Sequence, residues 1–285
     1  MASVASFLMG LVLSLIIAIA AFKREMLSED GILGALILGT LIFTFAGWTW
    51  FAVLVLFFLT SSLLTKFKAK LKKNVEAEFA KGGRRDLLQV LANGAVGAFS
   101  ALASFLWPSP YWVYAFAGSI ATVTADTWAT ELGILYNKRP LMLPYLKPVR
   151  VGTSGAVSRE GTFFAALGAL TIGLTLALTS LIDLGRHGLA VALEAWLDWS
   201  IPLVLIAAFA GVIGCFVDSL LGATLQATYF CPYHRKETEN PIHKCGRVSK
   251  FRKGLGWIDN DIVNLASSVV GAGVAVALAA LLRVV

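Results

Sequence analysis

Charged residues are scarce in this sequence, and their scarcity argues against a water-soluble domain. Asp, Glu, Lys and Arg make up 14% of the 285 residues, whereas hydrophobic residues make up 58%. A soluble domain of this size does not need so much apolar surface, but repeated runs of about 20 apolar residues are what bilayer spans require. The composition therefore predicts an integral membrane protein.

Other missing features narrow the class further. Three cysteines cannot build a disulfide framework, and the lack of a GxxxxGK[ST] motif excludes a simple P-loop NTPase. No polar linker divides the apolar runs, so we predict one transmembrane domain over 1–285. The first run, 2–22, has no positive residue before it and is too long for a signal-peptide core, so we expect a retained helix.

Eight apolar runs predict the fold. Helices are the structures that satisfy their own backbone polar groups across lipid at this length, so we predict an all-α, polytopic helical bundle of about eight transmembrane helices. The boundary between the second and third runs, at Gly47 and Trp48, has almost no loop. The runs are 2–22, 31–47, 48–65, 87–107, 111–134, 162–182, 201–226 and 262–282.

The positive charges predict the orientation. Loops 23–30, 66–86, 137–161 and 227–261 hold 22 of the 24 Lys and Arg residues, and alternating spans place all four loops on one side. Because positive loops face the cytoplasm, we expect both termini outside and an active-site face built from the last three loops. Two interpretations fit loop 66–86: a helix that lies against anionic lipid headgroups, or direct binding of substrate by its lysines.

Polar residues enter three spans at similar depth. Gln89 and Asn93 follow Arg85 at one-turn spacing, and two further spans carry polar and small residues at every fourth position. Small residues in such rows let helix backbones approach closely. The two rows are Gly118, Thr122, Asp126 and Thr130, and Gly214, Asp218, Gly222 and Gln226.

The intramembrane acids are the candidate catalytic residues. Ionisable groups at membrane depth are costly and are by default functional, although a hydrogen bond that joins two helices would be a structural alternative for Asp126 and Asp218. Glu131 shares a helix face with Thr127 and lies about 140° round the helix from Asp126. Ser219 follows the second acid directly.

The loop after the fifth span offers phosphate ligands. Gly152, Thr153, Ser154 and Gly155 can expose consecutive N–H groups and hydroxyls, and the start of the next span adds a helix N-terminus. Positive charge comes from three nearby side chains: Lys147, Arg150 and Arg159. A plain turn is the alternative interpretation of the glycine-rich segment.

Loop 227–261 holds two further patterns. Cys231-x-x-His234 and His243-x-Cys245 could hold a structural Zn²⁺ tetrahedrally, although the spacing is not a standard one. Asp261 and Asn264 close the loop, where they either cap the last span or face a nucleotide.

The sequence resembles the family of chloroplast phytyl-phosphate kinases and their animal relatives, the transmembrane protein 19 group. The resemblance is carried, in order, by RDLLQVLANG (85–94), ADTWATELG (125–133), KPVRVGTSGAVSREGT (147–162), VDSLLGATLQ (217–226) and GWIDNDIVNL (256–265). It implies transfer of a phosphoryl group from a nucleoside triphosphate, CTP before ATP, to phytyl, geranylgeranyl or farnesyl phosphate. The product would be the prenyl diphosphate.

With this resemblance, the residues predict Mg²⁺-dependent phosphoryl transfer. Asp126 and Asp218 would hold Mg²⁺, with Glu131 beside them, and the Gly152–Gly155 segment with its cations would grip the triphosphate. We expect a prenyl monophosphate, a nucleotide and the bilayer as partners, no nucleic acid, and an active site facing the cytoplasm of a prokaryotic plasma membrane. The alternatives are a cytidylyltransferase that makes a CDP-lipid and a transporter for a phosphorylated lipid.

Overall fold

The computed structural model describes residues 3–69, 71–72, 83–136, 139–184 and 189–284. Most of the charged run in loop 66–86, together with Lys138 and Arg186, lies outside the described residues. The described residues form seven long helices and two small sheets. The helices are α1 (Val4–Lys23), α2 (Glu29–Lys66), α3 (Leu87–Leu106), α4 (Tyr111–Gly133), α5 (Arg159–Leu184), α6 (Leu189–Thr224) and α7 (Asn260–Leu281).

The helical, membrane-spanning fold class is confirmed. Within the described residues, six helices are long and apolar enough to cross a membrane, namely all except α4. Large apolar side chains such as Phe7, Leu63 and Phe209 lie exposed on the outside of the bundle. Such exposure suits helices whose surroundings are lipid rather than water. The predicted orientation of the loops and termini stays a prediction.

The second and third predicted spans are the two halves of α2. Gly47 interrupts the helix with φ 82° and ψ −172°, a conformation that is essentially restricted to glycine. Lys66, at the end of α2, donates a hydrogen bond to the carbonyl of Arg24, which precedes α2. A straight helix of 38 residues would separate its ends by about 57 Å. The chain therefore folds back at Gly47 into two antiparallel halves.

Helix α4 occupies the centre of the bundle. Every residue from Tyr114 to Ala125 is buried, and α4 packs against α3, α5, α6 and α7. Close packing depends on glycines of the predicted rows: a Cβ at Gly118 would lie 2.6 Å from that of Ala275, and one at Gly214 would lie 2.8 Å from that of Thr122. Small residues therefore set the distances between α4, α6 and α7.

Side chains begin several helices. Ser28 accepts a hydrogen bond from the amide of Gly31, Asp86 from that of Gln89, and Asp259 from that of Ile262. Each satisfies an amide that has no partner within its own helix. These caps fix where α2, α3 and α7 start. The last two lie beside the candidate site.

Three predicted boundaries differ from the structure. The seventh span was predicted from 201, but α6 begins at Leu189 and continues through Pro202. It ends at Thr224, so Gln226 lies beyond the helix rather than within it. Helix α5 starts at Arg159 instead of 162 because the side chain of Ser158 accepts the amide of Gly161 and begins the helix earlier.

Two three-stranded antiparallel sheets were not predicted. The first joins β1 (Leu141–Met142), β2 (Lys147–Pro148) and β3 (Ala156–Val157) in the order β2-β1-β3. The second joins β4 (Thr228–Cys231), β5 (Lys236–Thr238) and β6 (Lys250–Lys253) in the order β5-β4-β6. Strands of two to four residues are too short to show an alternating pattern in the sequence. Both sheets lie in loops that the positive charges assign to the same side.

Candidate active site

A cavity of about 550 Å³ lies at one end of the bundle. Helices α3, α5 and α7 begin there and α4 and α6 end there, so side chains from five helix ends face one space. The glycine-rich loop and two residues of the second sheet region complete its wall. The structure therefore brings together polar segments that are up to 180 residues apart in the sequence.

Most of the candidate site residues line this cavity. They come from all five predicted segments, including the three polar stripes. The lining candidates are Arg85, Gln89, Asn93, Asp126, Thr127, Glu131, Gly152, Thr153, Ser154, Gly155, Asp218, Ser219, Gln226, Asp261 and Asn264.

Asp126 and Asp218 form the acidic centre of the cavity. Both line it, one near the end of α4 and the other near the end of α6. Asp218 is buried, and one of its oxygens accepts a hydrogen bond of 2.9 Å from the hydroxyl of Ser267 on α7. The two acids are therefore held by three helices. Two carboxylates that share one cavity favour a bound cation.

Glu131 is bound to α2 and to the residues that follow it. Its side chain accepts a hydrogen bond of 2.6 Å from the hydroxyl of Thr65 and forms an ion pair with the fully buried Lys72. Lys72 also donates to the carbonyls of Leu64 and Thr65, at 2.7 and 3.1 Å. Glu131 lines the same cavity as Asp126, but Lys72 already neutralises its charge. We therefore assign Glu131 a positioning role rather than a role as a metal ligand.

Arg85 supplies positive charge to the cavity. Its guanidinium lies 5.4 Å from the ring centre of Phe57 and 6.0 Å from that of Phe58. Burial lowers the pKa of Arg85 to about 10, against the raising effect of the Glu131 charge. The group is still cationic at neutral pH. A desolvated guanidinium is well suited to phosphate because its N–H groups match two oxygens at once.

The glycine-rich segment packs tightly against the end of α6. Gly152 and Gly155 have positive φ values of 85° and 81°, which glycine adopts without strain. The hydroxyl of Ser154 donates to the Gln226 side chain at 2.8 Å, and Gln226 donates in turn to Glu239 at 2.9 Å. The hydroxyl of Thr153 donates to the carbonyl of Arg150. Both hydroxyls thus hold the segment in place, and the amide of Thr153 also donates to the carbonyl of Arg150, at 3.2 Å. The amides of Gly152, Ser154 and Gly155 are therefore the phosphate donors to consider.

Three predicted cations do not line the cavity. Lys147, Arg150 and Arg159 are exposed, on β2, in the following turn and at the start of α5. Their positions near the segment in the sequence did not show which way the side chains point. Lys244, which was not among the candidates, lines the cavity instead.

Several other residues at the site were not predicted. Ser267 continues a row after Asp261 and Asn264 at helical spacing, and this spacing could have indicated it. Glu239 and Lys72 lie in ordinary charged segments, and nothing in their spacing distinguishes them from surface residues. Cys215 on α6 is buried and also borders the cavity.

The Cys and His residues of loop 227–261 lie together but outside the cavity wall. Their four ligand atoms lie within 4.8 Å of one another. The backbone amide of His234 lowers the pKa of the Cys231 thiol to about 7, against the effect of burial, with further help from the His234 side chain.

These features define a class: an integral membrane helical protein with a cavity at one end of its bundle that is lined by carboxylates and by the cations Arg85 and Lys244. Residues 12–272 match the profile of DUF92, described as an integral membrane protein family. The chain belongs to this family, which confirms the family indicated by the sequence resemblance.

Relatives support this assignment over nearly the whole chain. Protein PGR of Arabidopsis thaliana is 34% identical over 90% of this chain and 91% of its own length. An uncharacterized membrane protein of Methanocaldococcus jannaschii is 28% identical over 90% of this chain and 87% of its own. The chloroplastic Protein VTE6 of Arabidopsis thaliana is 24% identical over 88% of this chain and 64% of its own. No solved structure matches the chain.

Proposed function

We propose that this protein is a membrane-embedded prenyl-phosphate kinase. It would transfer the γ-phosphoryl group of a nucleoside triphosphate, CTP before ATP, to phytyl, geranylgeranyl or farnesyl phosphate. The observation that carries the proposal is the shared cavity of about 550 Å³, whose wall contains the carboxylates of Asp126 and Asp218 together with the cations Arg85 and Lys244. The resemblance to the phytyl-phosphate kinases supplies the substrate class.

Each part of the cavity has a task in such a transfer. An ionised oxygen of the prenyl phosphate attacks the γ-phosphorus, the bond to the β–γ bridging oxygen breaks, and the nucleoside diphosphate leaves with that electron pair. No general base is needed because the attacking oxygen carries no proton. Catalysis then depends on positioning and on neutralising charge. We assign both tasks to Arg85, Lys244 and the amides of Gly152, Ser154 and Gly155, which all belong to residues that line the cavity.

The oxygen donors of the cavity fit a magnesium ion. Asp126, Asp218, Asp261 and Asn264 offer carboxylate and amide oxygens, the ligands that Mg²⁺ prefers. When bound, Mg²⁺ would neutralise charge on the phosphate oxygens. The residues themselves orient one another: Ser267 holds Asp218, and the close contact between α4 and α6 sets the spacing of the two acids.

We propose that the lipid tail enters at a second cavity. It measures about 60 Å³, is almost entirely apolar, and lies between α1, α2 and α3. Arg85 and Asn93 line both cavities. Charged side chains line the first cavity and the second is almost entirely apolar, and a prenyl phosphate is divided in the same way into a charged head and an apolar tail. We place its phosphate at Arg85 and the start of its tail toward α1, with the rest of the tail in lipid.

The proposal is tested by product analysis. Purified protein is incubated with Mg²⁺, CTP or ATP, and a panel of prenyl monophosphates, and the products are separated by liquid chromatography and identified by mass spectrometry. A kinase forms the prenyl diphosphate and the nucleoside diphosphate in equal amounts. A CDP-lipid with pyrophosphate would instead identify a cytidylyltransferase. Flux of a prenyl phosphate through proteoliposomes without nucleotide would identify a transporter.

A further inference from the structure

We propose that Cys231, His234, His243 and Cys245 bind one structural Zn²⁺ that fastens the loop between α6 and α7. The proposal does not depend on the kinase activity. It rests on how two turns bring four ligands of the right kind to one point.

The first turn presents Cys231 and His234. Cys231 ends β4 and is fully buried, and the amide of Arg235 bonds back to its carbonyl at 2.9 Å. Arg235 has a positive φ of 52°, so the chain reverses tightly into β5. The reversal leaves the cysteine sulfur and the imidazole of His234 on the same side, 3.7 Å apart.

The second turn presents His243 and Cys245. The amide of His243 donates to the carbonyl of Arg247 at 2.9 Å, and that of Gly246 donates to the carbonyl of His243 at 2.8 Å. Gly246 adopts a positive φ of 79°, which closes the turn. The rings of His243 and His234 then lie with their centres 4.7 Å apart. Each turn therefore contributes one sulfur and one imidazole.

The distances suit a tetrahedral zinc. Zn–S bonds of ~2.3 Å and Zn–N bonds of ~2.0–2.1 Å separate ligand atoms by ~3.3–3.8 Å at tetrahedral angles. The separation of 3.7 Å between the Cys231 sulfur and the His234 nitrogen lies in this range. All four ligand atoms lie within 4.8 Å of one another, so small rotations of the side chains complete the site. Two thiolates and two imidazoles favour zinc over magnesium or calcium.

A metal-free arrangement is the competing interpretation. Cys231 and His234 can share a hydrogen bond, and the amide of Cys245 donates to the ring of His243 at 3.2 Å. Cys231 and Cys245 could also form a disulfide. Neither interpretation uses all four ligands at once. The zinc content of the purified protein therefore distinguishes the proposed metal site from both metal-free arrangements.

The site would hold one wall of the active-site cavity. Lys244 lies between two of the ligands in the sequence and lines the cavity. Glu239 lines it as well and accepts the hydrogen bond from Gln226. A metal that joins the two turns would fix both residues relative to the end of α6. We therefore expect the zinc to position residues rather than to take part in catalysis.

The first experiment measures metal content. The full-length protein is purified in detergent without chelators, and zinc per chain is measured by inductively coupled plasma mass spectrometry. We expect one zinc per chain, lost in Cys231→Ser and in Cys245→Ser. Cys215→Ser is the matched control, because the third cysteine lies on α6 outside the cluster and should leave zinc unchanged. A zinc-free wild type after incubation with Zn²⁺ and reductant would overturn the proposal, as would full zinc in either loop variant.

A second experiment covers the case in which a variant fails to fold. Wild-type protein is stripped of metal and loaded with Co²⁺, and its absorption spectrum is recorded. Two thiolates around a tetrahedral Co²⁺ give intense ligand-field bands and a sulfur-to-metal charge-transfer band, which added Zn²⁺ should abolish. A spectrum with weak octahedral bands alone would contradict the proposal. An intact Cys231–Cys245 disulfide in the purified wild type would contradict it as well.

Discussion

Substitutions at single residues can distinguish a catalytic site from a polar core that only packs the helices together. Asp126 and Asp218 could be identified from the sequence because acids at membrane depth are rare and costly. The structure adds what the sequence could not show, namely that Ser267 holds Asp218 and that Lys72 neutralises Glu131. Both contacts join residues that are distant in the chain, and no local pattern predicts such contacts.

The paired acids give the first prediction. Asp126→Asn and Asp218→Asn keep the size and hydrogen bonding of the side chains but remove the charge. We expect each to lower phosphoryl transfer by at least ~100-fold, the scale seen when electrostatic stabilisation of a reacting group is lost. The double variant should lose little more, because both residues serve one metal. Initial rates at saturating Mg²⁺ and nucleotide measure the effect.

Asp198→Asn is the matched control. Asp198 lies on α6 with Asp218, but it is exposed and near the other end of the helix, so its rate should equal that of the wild type. If Asp126 and Asp218 only join helices by hydrogen bonds, asparagine would preserve those bonds. Near-normal turnover in both single variants would then support that structural role.

Glu131 gives a prediction about stability. Glu131→Gln removes the charge that pairs with the fully buried Lys72, and breaking a buried pair by removing one partner costs about 3–5 kcal/mol. We expect a clear fall in Tm in detergent, with activity largely kept below that temperature. Glu25→Gln is the control, since its ion pair with Arg84 is exposed and such pairs are worth about 0–1 kcal/mol. Equal Tm values for the two variants would show that the Lys72 pair does not stabilise the fold.

At the scale of elements, the hairpin in α2 depends on one glycine. Gly47 has a conformation that other residues adopt only with strain, and a Cβ added there would contact nothing within 4 Å. Gly47→Ala therefore tests backbone strain alone. We expect a loss of about 1–3 kcal/mol in the free energy of unfolding. Thermal unfolding in detergent measures it.

Gly273→Ala provides the comparison for that measurement. Gly273 lies within α7, and a Cβ there would also meet nothing within 4 Å. Alanine favours a helix over glycine by about 1 kcal/mol, so this variant should be as stable as the wild type or more stable. If Gly47→Ala matched Gly273→Ala, the fold-back at Gly47 would not require glycine.

The elements also show where sequence analysis stops. Long apolar runs and rows at every fourth residue predicted the helices and the close contact of α4 with α6, because both patterns repeat over several turns. The two small sheets were not predicted, because their strands are too short to show a repeating pattern of apolar and polar residues. Another reason explains why sequence analysis did not predict the exposed positions of Lys147, Arg150 and Arg159. A charge in a loop does not reveal its direction until the neighbouring turn is known.

For the whole molecule, the predicted orientation remains to be tested. Single cysteines replace Ser3 before α1 and Tyr145 between β1 and β2; both side chains are exposed. We expect a membrane-impermeant maleimide to label Ser3→Cys in intact cells and Tyr145→Cys only after the cells are opened. We expect this result because loops rich in Lys and Arg face the cytoplasm, and Tyr145 lies in one of the four positive loops. Wild-type protein, labelled in parallel, gives the background from the native cysteines. Labelling of Tyr145→Cys from outside would reverse the orientation.

The fate of labelled phosphate tests the central proposal most directly. Purified protein, Mg²⁺ and a prenyl monophosphate are incubated in parallel with CTP labelled at the α- or at the γ-phosphorus. A kinase moves the γ-label into the prenyl diphosphate and leaves the α-label in CDP, and Asp126→Asn should suppress the transfer. Appearance of the α-label in the lipid would contradict the proposal. So would the absence of labelled lipid from γ-labelled CTP and from γ-labelled ATP with each of the three prenyl phosphates.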